Sequence, residues 1–594
     1  MNGLSNPTSP PETSRGRRRL RKVLRALLVL ALVIIAFYTE ENWRGERAWD
    51  KYRRELEAKG EVLDWQAYIP RPVPPDQNFL KVPLMEAWFN RQTKNTNELQ
   101  RLRELANQEK YRQFAEARHG VRFPIVEVQV WPAAATNVPS PAYPLKDFDV
   151  DDPDAFRNHL SRAAQVAILS DPRSFSMIIG GGPDRQPRRV HVQLDAKSSQ
   201  RWLEAKFKGK GSGPFFTAEP TTETNVIRVV CTSGVLAEDA VAWFNQFQAE
   251  FDALQEACQR PHMRLPGSYG DPFGAPIPNF VSVRILAQAL SVSLKANLLV
   301  GQPDAALRDA AIMAQLMQYL RESDFTLVAA MIRVAVGGLY VDSVGEGLAE
   351  GLWPQRHCAA IQEQLRTMDL LSSYANAMRW ERAAGVYLFE RFKGGDAGRV
   401  YAEVFSEAKP LWRDPMRVFI ELSPRGWHCQ NQRLISRLHQ IGLDALDLKN
   451  QRIDVGLEEL ADHSFERETR GFRPWTWGTA LLLPNYVKAL RTTVKNQALV
   501  NQALVACALE RCRREAGQYP ESLEALAPRF LDKLPHDLFT GQPLKYRRTS
   551  DGKFLLYSVG WNLKDDGGVA GPTWRWTSSE LGQGDWVWPY VPKR

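Results

Sequence analysis

The sequence predicts an α+β chain that is predominantly α. The order is an N-terminal transmembrane helix, a small β-containing region, a helical array, and a C-terminal long helix followed by a small antiparallel sheet. Three observations predict it. A basic run, Arg15 to Arg25, leads into the purely apolar Ala26–Phe37. Short stretches within 119–235 alternate apolar and polar residues, the period of a half-buried strand. From 236 to 500, apolar residues recur at three- and four-residue spacing, the period of a helix with one buried face.

The apolar run comes first in the chain. A hydrocarbon core of about 30 Å needs roughly 17 to 25 helical residues. Val23–Thr39 supplies 17, with Arg25 in the first turn, where its guanidinium can snorkel back to the headgroups. Tyr38 and Trp43 suit the outer interface, where amphipathic rings collect. A cleaved signal peptide is the competing reading, but Ile35-Ala36-Phe37-Tyr38 lacks the small-x-small pattern of a cleavage site. Residues 23–39 therefore read as an uncleaved signal anchor. The positive-inside rule puts the basic arm, 1–22, in the cytoplasm and everything from about residue 40 outside. That is single-pass residence in the bacterial inner membrane, with the bulk in the periplasm.

Length predicts more than one domain beyond the anchor, and 44% apolar with 24% charged residues is ordinary for packed protein. The net charge is +9. Residues 1–25 hold seven Arg/Lys against Glu12, six of those nine charges, so the rest of the chain carries about three. The basicity is thus an orientation signal in contact with anionic lipid, and it argues against a nucleic-acid partner. Six scattered cysteines make no disulfide framework. Buried lone thiols are expected, with one disulfide the alternative in an oxidising compartment.

Residues 40–118 form a juxtamembrane helix and a Pro-rich connector. The helix over 40–60 continues the anchor and stops at Gly60. Pro70, Pro72, Pro74 and Pro75 force extended chain, and Glu98–Arg118 returns to helical composition. Residues 119–235 are a loop-rich β-containing region with strands at Val126–Val130, Val190–Leu194 and Val226–Cys231. Gly180-Gly181-Gly182 precedes Pro183-Asp184-Arg185 and reads as a turn, since a phosphate cradle would open a helix.

Residues 236–483 are the array, with helices over Ala237–Cys258, Val281–Val300, Asp304–Arg321 and Thr326–Ala349. Gly301-Gln302-Pro303-Asp304 joins two of them as an antiparallel pair. Ala296–Ala310 looks like a tetratricopeptide junction, but no second copy follows at that period, so a generic helical array is the reading.

The C-terminal module, 484–594, opens with a helix over Tyr486–Glu515. This helix contains the duplicated Asn496-Gln497-Ala498-Leu499-Val500 and Asn501-Gln502-Ala503-Leu504-Val505, and Gly517 ends it. Gly517-Gln518-Tyr519-Pro520 follows, then an amphipathic turn with Leu523 and Leu526, and the loop Leu534-Pro535-His536-Asp537. A hairpin, Leu544–Arg548 with Lys553–Ser558, turns on Asp551-Gly552. Tyr557-Ser558-Val559-Gly560-Trp561-Asn562 and Asp565-Asp566-Gly567-Gly568 come next. Trp574-Arg575-Trp576 and Trp586-Val587-Trp588 alternate like sheet residues packed on the long helix.

This succession resembles the globular part of the type II secretion major pseudopilin. The resemblance implies a long helix carrying a small sheet, and a final loop that binds calcium, for which Asn562, Asp565 and Asp566 could supply oxygens; the competing reading of Asp565-Asp566-Gly567-Gly568 is a solvated turn. Leu538 stands where the family has Pro after the loop Asp, Asn562 stands where a carboxylate is common, and two larger features also depart from the family. Gly16 is followed by Arg, so the prepilin peptidase site is absent, and several hundred residues separate anchor from module. Processing into a pseudopilus is therefore not expected. The wider layout, with Glu41–Trp49 after the anchor and Asp76-Gln77-Asn78-Phe79 in the connector, is similar to large bacterial single-pass membrane-anchored proteins. That resemblance implies topology and no activity.

The search for chemistry returns little. Glu459 and His463 are four apart but lack the second His of a zinc helix. His428-Cys429 with His439 lacks zinc spacing. No nucleophile elbow, Walker loop or dinucleotide fingerprint occurs. Glu381-Arg382 and Glu466-Arg467-Glu468 read as ion pairs tying helices together. The expected function is a membrane-tethered, extracytoplasmic binding or scaffold component of the cell envelope, with secretion as the setting the C-terminal resemblance suggests. Its partners are the lipid bilayer and another envelope protein, with no small-molecule substrate identified. The alternative is an anchored periplasmic hydrolase with a site between the β-containing region and the array.

Overall fold

The computed structural model describes residues 12–89, 96–107 and 114, the backbone of five strands between 126 and 232, and most of 237–590 (not 278, 323–325, 395–396, 406–414, 472, 483–485 or 572–581). Among the described residues helix accounts for 67% and strand for 5%, with small antiparallel sheets, so the α+β, mainly α expectation holds. The turn expected at Gly180–Gly182 and the strand expected at Trp574–Trp576 lie outside the described residues.

Helix α1 is one continuous rod, Glu12–Ala58. Its side chains from Leu20 to Phe37 are exposed. It ends where the sequence predicts. Gly60 takes φ +79°, and the Glu61 N–H donates to the Leu56 carbonyl (3.1 Å), which satisfies an orphan carbonyl of the last turn. Short 3-10 turns carry the chain through the Pro-rich connector. Asn78 pins that connector to the body: its Oδ1 accepts from the Leu80 and Arg264 N–H groups, and its Nδ2 donates to the Arg264 carbonyl (2.8 Å). Helices α2 (Pro83–Phe89) and α3 (Thr96–Leu105) follow.

The β-containing region is a five-stranded antiparallel sheet. Its strands are β1 (Val126–Pro132), β2 (Ser174–Ile179), β3 (Arg188–Gln193), β4 (Phe215–Pro220) and β5 (Val226–Thr232), in the order β2-β3-β1-β5-β4. The three expected strands are present. The two not expected, β2 and β4, alternate only briefly or carry poor strand formers, Glu219 and Pro220.

One expected helix, Ala237–Cys258, is in fact two: α4 (Ala237–Asn245) and α5 (Gln248–Ala257). The break falls at Phe247, at φ −107° and ψ 19°. There the ring is buried beside Trp243 and lies under the Arg101 guanidinium of α3 at 4.6 Å. Burying that ring outweighs the turn of helix lost.

The array follows its periodicity: α6 (Phe280–Leu299), α7 (Pro303–Glu322), α8 (Leu327–Ala349), α9 (Gln355–Arg366) and α10 (Leu370–Phe392). Asn279, Thr326 and Asp369 cap α6, α8 and α10 through their side-chain oxygens. Helix α8 is long and apolar enough to cross a membrane, but 61% of its most apolar window is buried. It packs among α6, α7, α10 and the long C-terminal helix. It also carries fully buried Arg333, whose Nε donates to the Met317 carbonyl (3.0 Å). It is a core helix. The chain continues through α11 (Ala397–Phe405), α12 (Pro415–Glu421), α13 (Arg425–Asp444), the two-residue strands β6 (Leu446–Asp447) and β7 (Arg452–Ile453), α14 (Val455–Thr469) and α15 (Trp477–Leu482).

Helix α16, Tyr486–Ala516, matches the long helix read from sequence. It packs on α8, α9 and α10. Buried residues from Phe79 to Trp588 share one core, and a second core joins Leu371 and Leu438 to Leu538 and Trp586. The small sheet, β10-β9-β8, comprises β8 (Lys545–Arg548), β9 (Phe554–Ser558) and β10 (Trp586–Val587). Gln502 of α16 ties it down by donating to the Trp586 carbonyl (2.6 Å).

Candidate functional site

The loop after β9 brings Asn562, Asp565 and Asp566 together, and most of their side-chain oxygens are engaged. Asp565 Oδ1 accepts from the Tyr557 hydroxyl (3.0 Å) and the Gly567 N–H (3.1 Å), while Oδ2 lies 3.1 Å from Lys545 Nζ. Asn562 Nδ2 donates to Asp566 Oδ2 (2.9 Å), and Asn562 Oδ1 accepts from the Lys564 N–H. The organiser is a residue that the sequence reading passed over. Buried Asp585 accepts from the Asp566 N–H (3.2 Å) and the Gly568 N–H (2.6 Å). Burial raises the Asp585 carboxyl above its ordinary range despite those bonds. Nothing in its sequence context distinguishes Asp585 from a solvated turn residue. Among the described residues no group of three or more His, Cys, Asp or Glu side chains is arranged to hold a metal ion. Lys545 already occupies Asp565 Oδ2, one of the oxygens a cation would use.

Among the described residues, His428, His439 and the buried thiols serve packing. Burial pushes His428 and His439 down to about 4, so both are neutral at physiological pH. His439 stacks on Tyr486 at 5.7 Å, and its Nδ1 lies 2.8 Å from the Ile435 carbonyl. Burial pushes the Cys258 and Cys358 thiols up to about 12 and Cys429 to about 11, the opposite of a nucleophile's thiolate. The five described side-chain thiols are free. Of the ion pairs read from sequence, Arg467–Glu468 is present (3.3 Å), whereas Arg382 pairs with Glu61 and not with Glu381. Glu381 accepts from the Leu327 N–H, and Glu468 holds Arg437 (2.8 Å) and Arg473 (2.7 Å).

A groove of about 420 Å³ opens between the C-terminus of α13, the β6–β7 hairpin and the start of α14. Its carboxylates have structural partners. Asp454 caps α14, Asp447 accepts from Asn450, and Asp444 accepts from Gln440. No His, Cys or Ser lines it. The alternative hydrolase site would fall against strands whose side chains lie outside the described residues.

The most built-up polar arrangement lies where the rod meets the body. Helices α1 and α13 run side by side in the same direction, from the Gly45–Gly426 contact to the Lys59–Asp444 ion pair (3.5 Å). The crossing is backbone on backbone. A Cβ on Gly426 would stand 1.9 Å from the Glu41 carbonyl oxygen, and one on Gly45 would stand 2.1 Å from that of Gly426. Polar groups ring this contact. The Gly426 N–H donates to Asn42 Oδ1 (2.9 Å), the Trp427 indole N–H donates to buried Glu41 (2.8 Å), and the Tyr38 hydroxyl donates to the Leu422 carbonyl.

The far end of the rod is locked by charge. Fully buried Arg382 pairs with Glu61, just past the Gly60 stop, and donates to Gln440 of α13. Burial alone would raise the Glu61 carboxyl. The Arg382 hydrogen bond and charge, with Arg379, hold it below its ordinary value instead. The sequence offered one signal for this junction, a glycine in each of two amphipathic helices, but no means of pairing them. No family model, curated protein or solved structure matches the chain.

Proposed function

We propose that the chain is a membrane-tethered extracytoplasmic protein whose helical body is held rigidly on its anchor and binds another component of the cell envelope. One observation carries this reading. The helix holding the exposed apolar segment continues without a break into the segment clamped on α13. A flexible linker would let a body roam from its anchor, whereas a continuous rod locked at both ends of a helix pair presents one face at one height. The buried histidines and high-pKa thiols leave a binding role favoured over a catalytic one. The pseudopilin-like succession of motifs at the C-terminus supports a secretion-related partner.

The test is in-cell crosslinking of the full chain followed by denaturing purification from membranes. A recurring envelope protein in the adduct supports the proposal. Repeated recovery of the chain alone, with the crosslinker shown to be active on a known envelope pair, overturns it.

A further inference from the structure

We infer that the body touches the outer leaflet a second time, through the segment around Leu422, beside the anchor. The inference rests on the proposed anchor and adds where the body sits on it. The argument is one of height. If α1 leaves the hydrocarbon at Phe37–Tyr38, whatever is bonded to Tyr38 lies at the headgroup level. Its hydroxyl donates to the Leu422 carbonyl, which links residues 384 apart in sequence.

The parallel pairing of α1 with α13 sets the direction. From Gly426 to Asp444 the helix climbs roughly 27 Å away from the bilayer at 1.5 Å per residue. The turn just before α13 is therefore the membrane-proximal end of this helix pair. That turn exposes an apolar residue: Leu422 is 64% exposed. Next to it Phe37 packs edge-on against Trp427 at 6.2 Å, and Phe419 lies 6.0 Å from the same ring. Trp43, 56% exposed, stands one turn up α1 with the Arg47 guanidinium 5.3 Å over its ring. Exposed Arg425 opens α13 at the same level.

Apolar side chains at the lowest level, with aromatic rings and arginines just above, match the layering of a lipid interface, where rings sit among headgroups and guanidinium groups meet phosphate. The occupant is the phospholipid surface. A protein groove partner would not need its contact at the height of the anchor's exit. Two contacts, one spanning and one resting, would fix the tilt of the body, which a single helix cannot do.

The experiment uses the full chain in phosphatidylethanolamine–phosphatidylglycerol vesicles, with a benzophenone amino acid placed in turn at Leu30, Leu422 and Val569. Val569 is 65% exposed and lies on the C-terminal loop. Lipid adducts are read by mass spectrometry. Adducts at 30 and 422, with 422 at least fivefold above 569, support the inference. Adducts at 30 with 422 no higher than 569 overturn it and leave the anchor standing. No adduct at 30 overturns the anchor and the inference together. As a second reading, Leu422→Asp should lower the adduct yield of a probe at Trp43 at least twofold while melting as the unaltered chain does. An unchanged yield would argue against a resting contact.

Discussion

Arg382 is fully buried, and its charge is answered by Glu61 and the amide of Gln440. Removing one partner of such a pair leaves a stranded charge, at a cost of about 3 kcal/mol. Glu61→Gln should lower the stability of the full chain by that order at pH 7, read by thermal or denaturant melting. The pH dependence follows from the direction of the shift. A carboxyl held below its unfolded value contributes fully above about pH 4.3 and loses its contribution as pH falls through the folded value. The gap between the variant and the unaltered chain should therefore close in acid. A gap that stays constant from pH 7 to pH 3 would show that Glu61 acts by packing alone.

The acidic C-terminal loop makes a second prediction at this scale. Since Lys545 already sits against Asp565, millimolar calcium should leave the melting temperature unchanged. Lys545→Met should free Asp565 Oδ2 and let calcium raise it. A calcium shift in the unaltered chain that vanishes in Asp565→Ala/Asp566→Ala would instead establish the cation site that the pseudopilin resemblance implies. Asn562, Asp565 and Asp566 could be read from sequence as one polar loop. Asp585, which organises their backbone, could not, because its role comes from burial nineteen residues downstream.

At the scale of elements, the glycine crossing between α1 and α13 is the most sensitive contact. The nearest neighbours of an added Cβ are backbone atoms, which cannot rotate aside. Gly426→Val should force the helices apart and cost about 3 kcal/mol. It should also raise tryptic cleavage at Arg53 and Arg54. Gly582→Ala, where a Cβ meets nothing within 4 Å, is the neutral control. Equal melting temperatures for the two variants would refute the close crossing. Helix ends were legible because their chemistry is local. Gly60, Gly301 and Gly517, each expected to end a helix, take φ of +79°, +78° and +78°. The break at Phe247 was not legible, because the reason for it is a ring contact with Arg101 of another helix.

For the whole molecule, the shared cores make a prediction about cooperativity. Gln362 of α9 donates to the Phe530 carbonyl (3.2 Å), and Gln502 of α16 reaches the last strand. The array and the C-terminal segment should therefore unfold together. Hydrogen exchange should show residues 280–350 and 486–516 losing protection in one transition. Truncation after Gly517 should give insoluble protein, since it uncovers the buried faces of α9 and α16. A soluble truncated chain with full helical content would show that the array stands alone.

What the sequence determined by itself is what local chemistry carries: the apolar run and its basic flank, the helical periods, the glycine and proline stops, and the hairpin at Asp551-Gly552. Each of these depends on residues within a turn or two of one another. Only the tertiary structure decided that α8 is a core helix, that α16 belongs to the array, and that the rod is clamped on α13. Those outcomes depend on which buried faces meet. Meeting is set by shape and charge between residues hundreds of positions apart, such as Glu61 with Arg382 and Gly45 with Gly426, and no periodicity along the chain encodes it.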